Sequence, residues 1–329
     1  MCRSRLACGA CFMQSPHAAM ALGEFELIRR FFDRPGSGIG DDCAILSPSP
    51  GQQWLVSTDM LVEGRHFLPT VDPSALGHKA LAVNLSDLAA CGATPRAFFL
   101  SMALPRADAG FLEGFAKGLF ALADEHSIRL AGGDTTAGPL NLCITVMGEA
   151  PPGQALLRSG AQVGDELWVS GQLGDARLAL EAFRGTLSLS AEAFSACRLR
   201  MERPSPRVAL GQALRGIATS CIDLSDGLLG DLAHVLAASG AGATLKVDAL
   251  PRSAWLAAQP EAIQHTCLLT GGDDYELLFT APAGARLPDL GVPLTRIGRI
   301  VEAPGIHLRN AQGKPLQFDG RAFDHFLTP

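Results

Sequence analysis

Phe25, Ile28, Phe31 and Phe32 recur at helical spacing and predict a helix over 24–33. A Pro/Gly/Ser break follows at 35–40, then short apolar runs at 44–46 and 54–57 that read as strands around a turn at 48–51. The pattern predicts a helix over 74–90, with Leu76, Ala80, Val83 and Leu88 inward. It then predicts a strand over 97–104, a helix over 109–125, and strands over 128–131 and 140–148. Pro151-Pro152-Gly153 is the strongest break in the chain and is read as a domain boundary. Beyond it come a strand at 166–170, a helix at 175–183, helices around 190–216, a strand at 219–222 and a helix at 227–239. Short strands at 243–247, 276–280, 294–300 and 307–309 mix with one or two more helices. Strands and helices alternate, but hairpins also occur. The expected fold class is therefore α+β, with two mixed α/β domains over 20–150 and 151–329.

Six short motifs interrupt this pattern: Gly38–Asp42, Ser57-Thr58-Asp59, Asn84–Asp87, Gly132–Thr136, Asp223–Gly227 and Gly271–Asp274. Most are read as an apolar strand ending on small residues and an Asp, in loops where a rigid scaffold presents functional groups. Each alone has a plainer reading as a turn former or helix N-cap. Asp226 reads equally as the cap of the helix that follows it, and Asp175 reads as a cap. Asp87 is harder to explain structurally. It falls inside an apolar helix, with Asn84 one turn earlier on the same face. Converging carboxylates must take up protons or bind cations. Oxygen ligands select Mg²⁺, which commonly bridges a few carboxylates to substrate phosphates.

Composition narrows the chemistry. Lys+Arg number 27 against 33 Asp+Glu, a net charge of −6, which argues against a nucleic-acid partner. No uncharged apolar run is long enough to span a membrane. Lysine occurs only at Lys79, Lys117, Lys246 and Lys314, so phosphate chemistry here lacks a Lys-rich cradle. The scattered cysteines read as reduced, buried thiols of a cytoplasmic protein, Cys43 among them. Cys8 and Cys11 form a C-x-x-C without the second pair that a zinc site needs. Residues 1–19 read as an unstructured or untranslated extension, with Met20 as the start. P-loop, protein-kinase, dinucleotide-fingerprint and G-x-S-x-G motifs are all absent from the sequence.

Taken in order, Gly23–Ile28, Gly38–Asp42, Ser57–Asp59, His66-Phe67, Lys79–Ala90, Gly132–Thr136, Arg158–Gly160, Ile222–Leu228 and Gly271–Leu277 closely resemble the thiamine-monophosphate kinase family. The resemblance runs from about residue 21 to the end. It implies an N-terminal ATP/Mg-binding and dimerisation domain of the aminoimidazole-ribonucleotide-synthetase type, which forms a shared β-barrel across a homodimer. It implies phosphorylation of thiamine monophosphate by ATP with several Mg²⁺, by direct in-line transfer. By the same resemblance, Asp42, Ser57, Thr58, Asp59, Asp87, Asp134, Asp223 and Asp226 match metal-ligand positions. Gly133, Arg158 and Ser225 match nucleotide contacts, and His66, Asp273 and Phe323 match thiamine-phosphate contacts. No catalytic residue is implied beyond these metal and phosphate ligands. The family usually carries Glu where this chain has Asp273, which reaches one methylene less. Rival readings are a sister enzyme of the superfamily, a non-catalytic binding protein and a purely structural dimer.

Overall fold

The computed structural model describes residues 23–35 and 42–320. Two mixed sheets organise the chain, and one buried helix lies between them. After a short helix α1 (Glu24–Leu27) that continues as a π-helical turn (Ile28–Phe32), the chain reaches β1 (Gln53–Val62). The remaining N-terminal elements are α2 (Pro73–Ala90), β2 (Thr94–Leu104), α3 (Ala109–Glu125), β3 (Arg129–Ala137) and β4 (Asn141–Ala150). The sheet order is β1-β4-β2-β3, with β2 and β3 parallel and the other pairs antiparallel.

The C-terminal elements are β5 (Glu166–Ser170), α4 (Asp175–Phe183), α5 (Ala191–Glu202), α6 (Val208–Leu214), β6 (Ser220–Asp223) and α7 (Leu228–Ser239). Then come β7 (Gly242–Lys246), α8 (Ala254–Ala257), α9 (Glu261–Thr270), β8 (Leu277–Ala281), β9 (Leu294–Val301) and β10 (Gly305–Arg309). Their strand order is β10-β7-β9-β5-β8-β6. The mixed α/β class with two sheets is thus the observed one.

Alternation decides what each sheet face meets. In the second sheet, Leu167, Val169, Ile222, Leu278 and Ile297 pack with Leu232, Val235 and Leu268 of the helices. The opposite face sends Cys221, Leu277 and Phe279 into the core built by Leu81, Leu85 and Leu88 of α2 with Phe98 and Phe115. Helix α2 is therefore sandwiched. Its Asp72 side chain accepts from Ala75 N at the N-terminus, Pro73 opens the first turn, and side chains are buried on all sides. The expected one-faced helix is corrected to a central one, because the second sheet covers the face opposite the first.

Several local expectations are corrected. Residues 44–46 form no strand, Ile45 is 93% exposed, and Cys43 is exposed where burial was expected. Of the other described cysteines, Cys197, Cys221 and Cys267 are buried, Cys91 and Cys143 are half-buried, and all are free thiols. The segment with Cys8 and Cys11 lies outside the described residues. Asp59 and Asp134 sit inside β1 and β3, not in loops after them. Gly174, not Asp175, occupies the N-cap of α4, and buried Asp175 accepts from Ser253 Oγ at 2.6 Å. Gly227 caps α7 in place of Asp226.

Candidate functional site

The site forms where β1, α2 and β6 meet. Along β1, every second side chain faces α2, so Ser57, Asp59 and Leu61 point inward while Val56, Met60 and Val62 are exposed. Two residues of strand span nearly the same length as one helical turn. Ser57 and Asp59 therefore meet Asp87 and Asn84, three apart on α2. Ser57 Oγ donates to Asp87 Oδ2 at 2.5 Å, and Asn84 Oδ1 accepts from Asp59 N at 3.1 Å. Asn84 Nδ2 donates in turn to Ala80 O at 3.0 Å, which locks the amide. From the other side of α2, Ser86 Oγ donates to Asp223 Oδ2 at 2.6 Å, at the end of β6. Helix α2 thus links an aspartate of each sheet, and its own Asp87 lies between them.

The electrostatics follow from burial without enough counter-charge. Burial raises the Asp59 carboxyl to about 7, with Asp87 and Asp226 adding repulsion. Burial also raises Asp223 to about 8, helped by Asp87 and opposed by the Ser86 hydrogen bond. Asp87 is pushed up by burial, against the Ser57 hydrogen bond and the positive charge of Arg158. Asp231, which the sequence reading did not single out, belongs to the same cluster. Its carboxylate accepts from Asp226 N at 3.2 Å and Gly227 N at 3.1 Å, shaping the loop that carries Asp226. Burial and Asp226 raise it to about 7.

Other predicted residues are placed differently. Thr58 alternates to the outer face and donates to Ile144 O at 3.0 Å, so only its backbone can face the cluster. Asp134 is exposed on the far edge of the sheet. The ladder Asp59–Ile144–Leu100–Gly133 spans the four strands. Three interstrand spacings then put the Asp59 and Gly133 backbones about 14 Å apart. Gly133 is required where it stands, because its φ is 154° and a Cβ would lie 1.8 Å from Leu100 O. Asp42 is exposed in the segment before β1, and Arg158 is exposed but close enough to act on Asp87 and Cys91. Phe323 lies outside the described residues.

Beside the cluster stands a second group. Lys79 Nζ donates to Asp273 Oδ2 at 2.9 Å and to His66 O at 3.2 Å. Tyr275 OH donates to Asp273 Oδ1 at 3.0 Å. His66 Nδ1 accepts from Val62 N at 3.0 Å, which puts the neutral ring's proton on Nε2. Asp273 and Tyr275 have φ of 65° and 51°, left-handed values that non-glycine residues rarely adopt. Backbone bonds from Asp273 N to Ser225 O and from Tyr275 N to Leu224 O tie this loop to the Asp223–Asp226 loop. Lys79 and Tyr275 lie inside the family-like motifs, which by themselves assign them no role. Their signal was a lysine in an otherwise apolar helix stretch and the chain's sole tyrosine.

This arrangement defines a class. The AIR synthase related protein N-terminal domain matches residues 40–150, and its C-terminal domain matches residues 162–309. Within that class, the Salmonella typhimurium thiamine-monophosphate kinase is 46% identical over 94% of this chain and all of that relative. The crystal structure of thiamine-monophosphate kinase from Stenotrophomonas maltophilia K279a superposes with a TM-score of 0.81 at 44% identity, covering 88% of this chain and 97% of that one. AaThiL complexed with AMPPCP and TMP superposes at 0.75 and 30% identity, covering 93% and 97%. The chain belongs to the thiamine-monophosphate kinase family.

Proposed function

We propose that the protein transfers the γ-phosphoryl group of ATP to thiamine monophosphate, giving thiamine diphosphate, by direct in-line displacement. The observation that carries this reading is the cluster of Asp59, Asp87 and Asp223, whose carboxyls are all pushed above the ordinary range by burial. Among the described residues, no three His, Cys, Asp or Glu side chains stand close enough to hold a metal by themselves. The donor set still suits Mg²⁺, which takes oxygen ligands, keeps several waters and shares itself with substrate phosphates. Asp59, Asp87, Asp223 and Asp226, with the Ser57 hydroxyl and the Thr58 carbonyl, would hold it, and Asp42 and Asp134 would join through bound nucleotide. Bound there, Mg²⁺ supplies positive charge to the phosphate oxygens.

The chain's own residues do the remaining work. Ser57 and Ser86 hold Asp87 and Asp223 in fixed rotamers, so little reorganisation is needed as charge develops. Arg158 offers a planar guanidinium that can grip a phosphate through two hydrogen bonds. The bare backbone at Gly133 and the loop at Ser225 allow nucleotide to approach closely. His66, Asp273 and Phe323 are assigned to thiamine monophosphate. The acceptor is a phosphate oxygen, largely ionised near pH 7 with a second pKa of about 6, so no general base is required.

The outer face of β1 supports a homodimer. Val56 is 59% and Met60 55% exposed on an edge strand, an apolar surface that a second copy would bury by completing a shared barrel. We place the division between an N-terminal ATP/Mg and dimerisation domain and a C-terminal α/β domain at the 150/151 junction. The protein is assigned to the cytoplasm, and no helix among the described residues is long and apolar enough to cross a membrane.

The test is direct: incubate purified protein with ATP, Mg²⁺ and thiamine monophosphate, and follow thiamine diphosphate by chromatography. Mg²⁺-dependent product is expected. ADP formed only with a different acceptor would overturn the substrate assignment. Binding of ATP without any turnover would overturn the kinase reading.

A further inference from the structure

We propose that the uncovered part of the C-terminal sheet carries a second anion site, separate from the aspartate cluster, that takes a compact diphosphate group. Only part of this sheet face is covered by the N-terminal half. Cys221, Leu277 and Phe279 on β6 and β8 are buried against it. On β9, β7 and β10 the same face is polar. Ile297, Ile300, Ala243 and Leu245 point to the helix side, and Ile306 and Leu308 pack there too. Arg296, Arg299, Thr244, Lys246, His307 and Arg309 are therefore left on the opposite face.

The register turns these residues into a compact grid. Glu166 pairs with Arg299, Arg299 with Thr244, and Thr244 with His307 across four strands. In the adjacent row Trp168 pairs with Arg296, and Lys246 with Arg309. A bulge at Ile297 lets Arg296 and Arg299, three apart, share the face, where strict alternation would separate them. The result is a cavity of about 290 Å³ lined by Glu166, Thr244, Lys246, Arg296, Gly298 and Arg299. Gly298 lines it where two strands approach closely, since a Cβ there would lie 2.2 Å from Thr244 O.

Charge selects the ligand. Arg296 is paired with Glu166 at 2.5 Å. The side chains of Lys246, Arg299 and Arg309 have no hydrogen bond or ion pair among the described residues. Three cations against one carboxylate line the cavity, in a chain whose net charge is −6. An extended polyanion is disfavoured, because the chain as a whole is acidic and no aromatic ring lines the cavity for base stacking. Arginines with a lysine across the ladder suit a small ligand with two phosphates, gripped through paired guanidinium hydrogen bonds.

The experiment is calorimetric titration of the full chain with inorganic pyrophosphate in EDTA, where without metal the aspartate cluster repels anions. One saturable site is expected, weakened at least tenfold in the Lys246→Ala/Arg299→Ala double variant and unchanged in Ser57→Ala. Inorganic phosphate should bind at least tenfold more weakly than pyrophosphate. Thiamine diphosphate formation with Mg²⁺ should be unchanged in the double variant, which also shows that it is folded. Absence of saturable binding, full binding by the double variant, or equal binding of phosphate would each overturn the proposal. Loss of binding in Arg158→Ala alone would move the anion to the kinase site and would also overturn it.

Discussion

Lys79 Nζ lies 2.9 Å from Asp273 Oδ2, joining the helix between the two sheets to the left-handed loop of the C-terminal half. The lysine side chain is 3% exposed and the carboxylate 33%, so the pair is buried at one end and open to ligand at the other. Asp273 already accepts from Tyr275 OH and Lys79, and both bonds fix where its carboxylate points. Replacing Lys79 with Met leaves this carboxylate half-satisfied, a change that costs about 1–3 kcal/mol for a buried hydrogen-bonded group. The expected result is a lower melting temperature and a raised KM for thiamine monophosphate, with a smaller change in kcat. An unchanged KM would show that the pair only joins the two halves.

Much of this was legible in the sequence, and the limits have physical causes. The ends of α3, β5 and α4 follow from clean periodicity, and the observed ranges are those predicted. Strand β1 was predicted too short because Asp59 reads as a strand terminator. In the fold it is an inward strand residue facing Asn84. The burial of α2 on all sides was not legible, since a second covering sheet is a long-range fact. Asp231 escaped notice for the same reason. It resembles an ordinary first-turn acid of a helix until the fold turns it back onto Asp226 N.

Asp87→Asn should uncouple stability from activity. Asp87 stands in a cluster where Asp59 and Asp223 each feel its charge. Removing that charge relieves repulsion, so the melting temperature in EDTA should hold or rise. Mg²⁺-dependent turnover should fall by a factor of about 10² or more, the scale on which losing one electrostatic group acts in such sites. Near-wild-type turnover with the same Mg²⁺ dependence would sink the metal-site assignment.

Glu276→Gln tests the frame behind the loop. Glu276 is fully buried, accepts from Ser170 Oγ at 2.5 Å, and pairs with Arg200 at 2.8 Å and Arg207 at 2.5 Å. Its neutral replacement removes the carboxylate that both guanidinium groups bond, leaving Arg200 only the more distant charges of Asp175 and Asp274, and breaking a buried pair in this way costs about 3–5 kcal/mol. Urea unfolding should show a loss of this order. A loss below about 1 kcal/mol, the range of surface pairs, would mean that solvent reaches the arginines.

The pH dependence of stability has a definite sign. Asp59 and Asp231 have folded-state values near 7 and Asp223 near 8, each above the ordinary carboxylate value of 3.8. The folded state therefore holds protons that the unfolded state has already released above about pH 4, so stability falls as pH rises. The decline runs from near the unfolded value up to about 8 and then levels off. Mg²⁺ acts in the opposite direction, because it binds the ionised form and competes with those protons. Melting temperatures in EDTA should drop between pH 6 and pH 8, and added Mg²⁺ should raise them more at pH 8 than at pH 6. A rise with pH in EDTA would mean that these carboxylates are stabilised as anions without metal, the Ser57 and Ser86 hydrogen bonds to Asp87 and Asp223 outweighing burial.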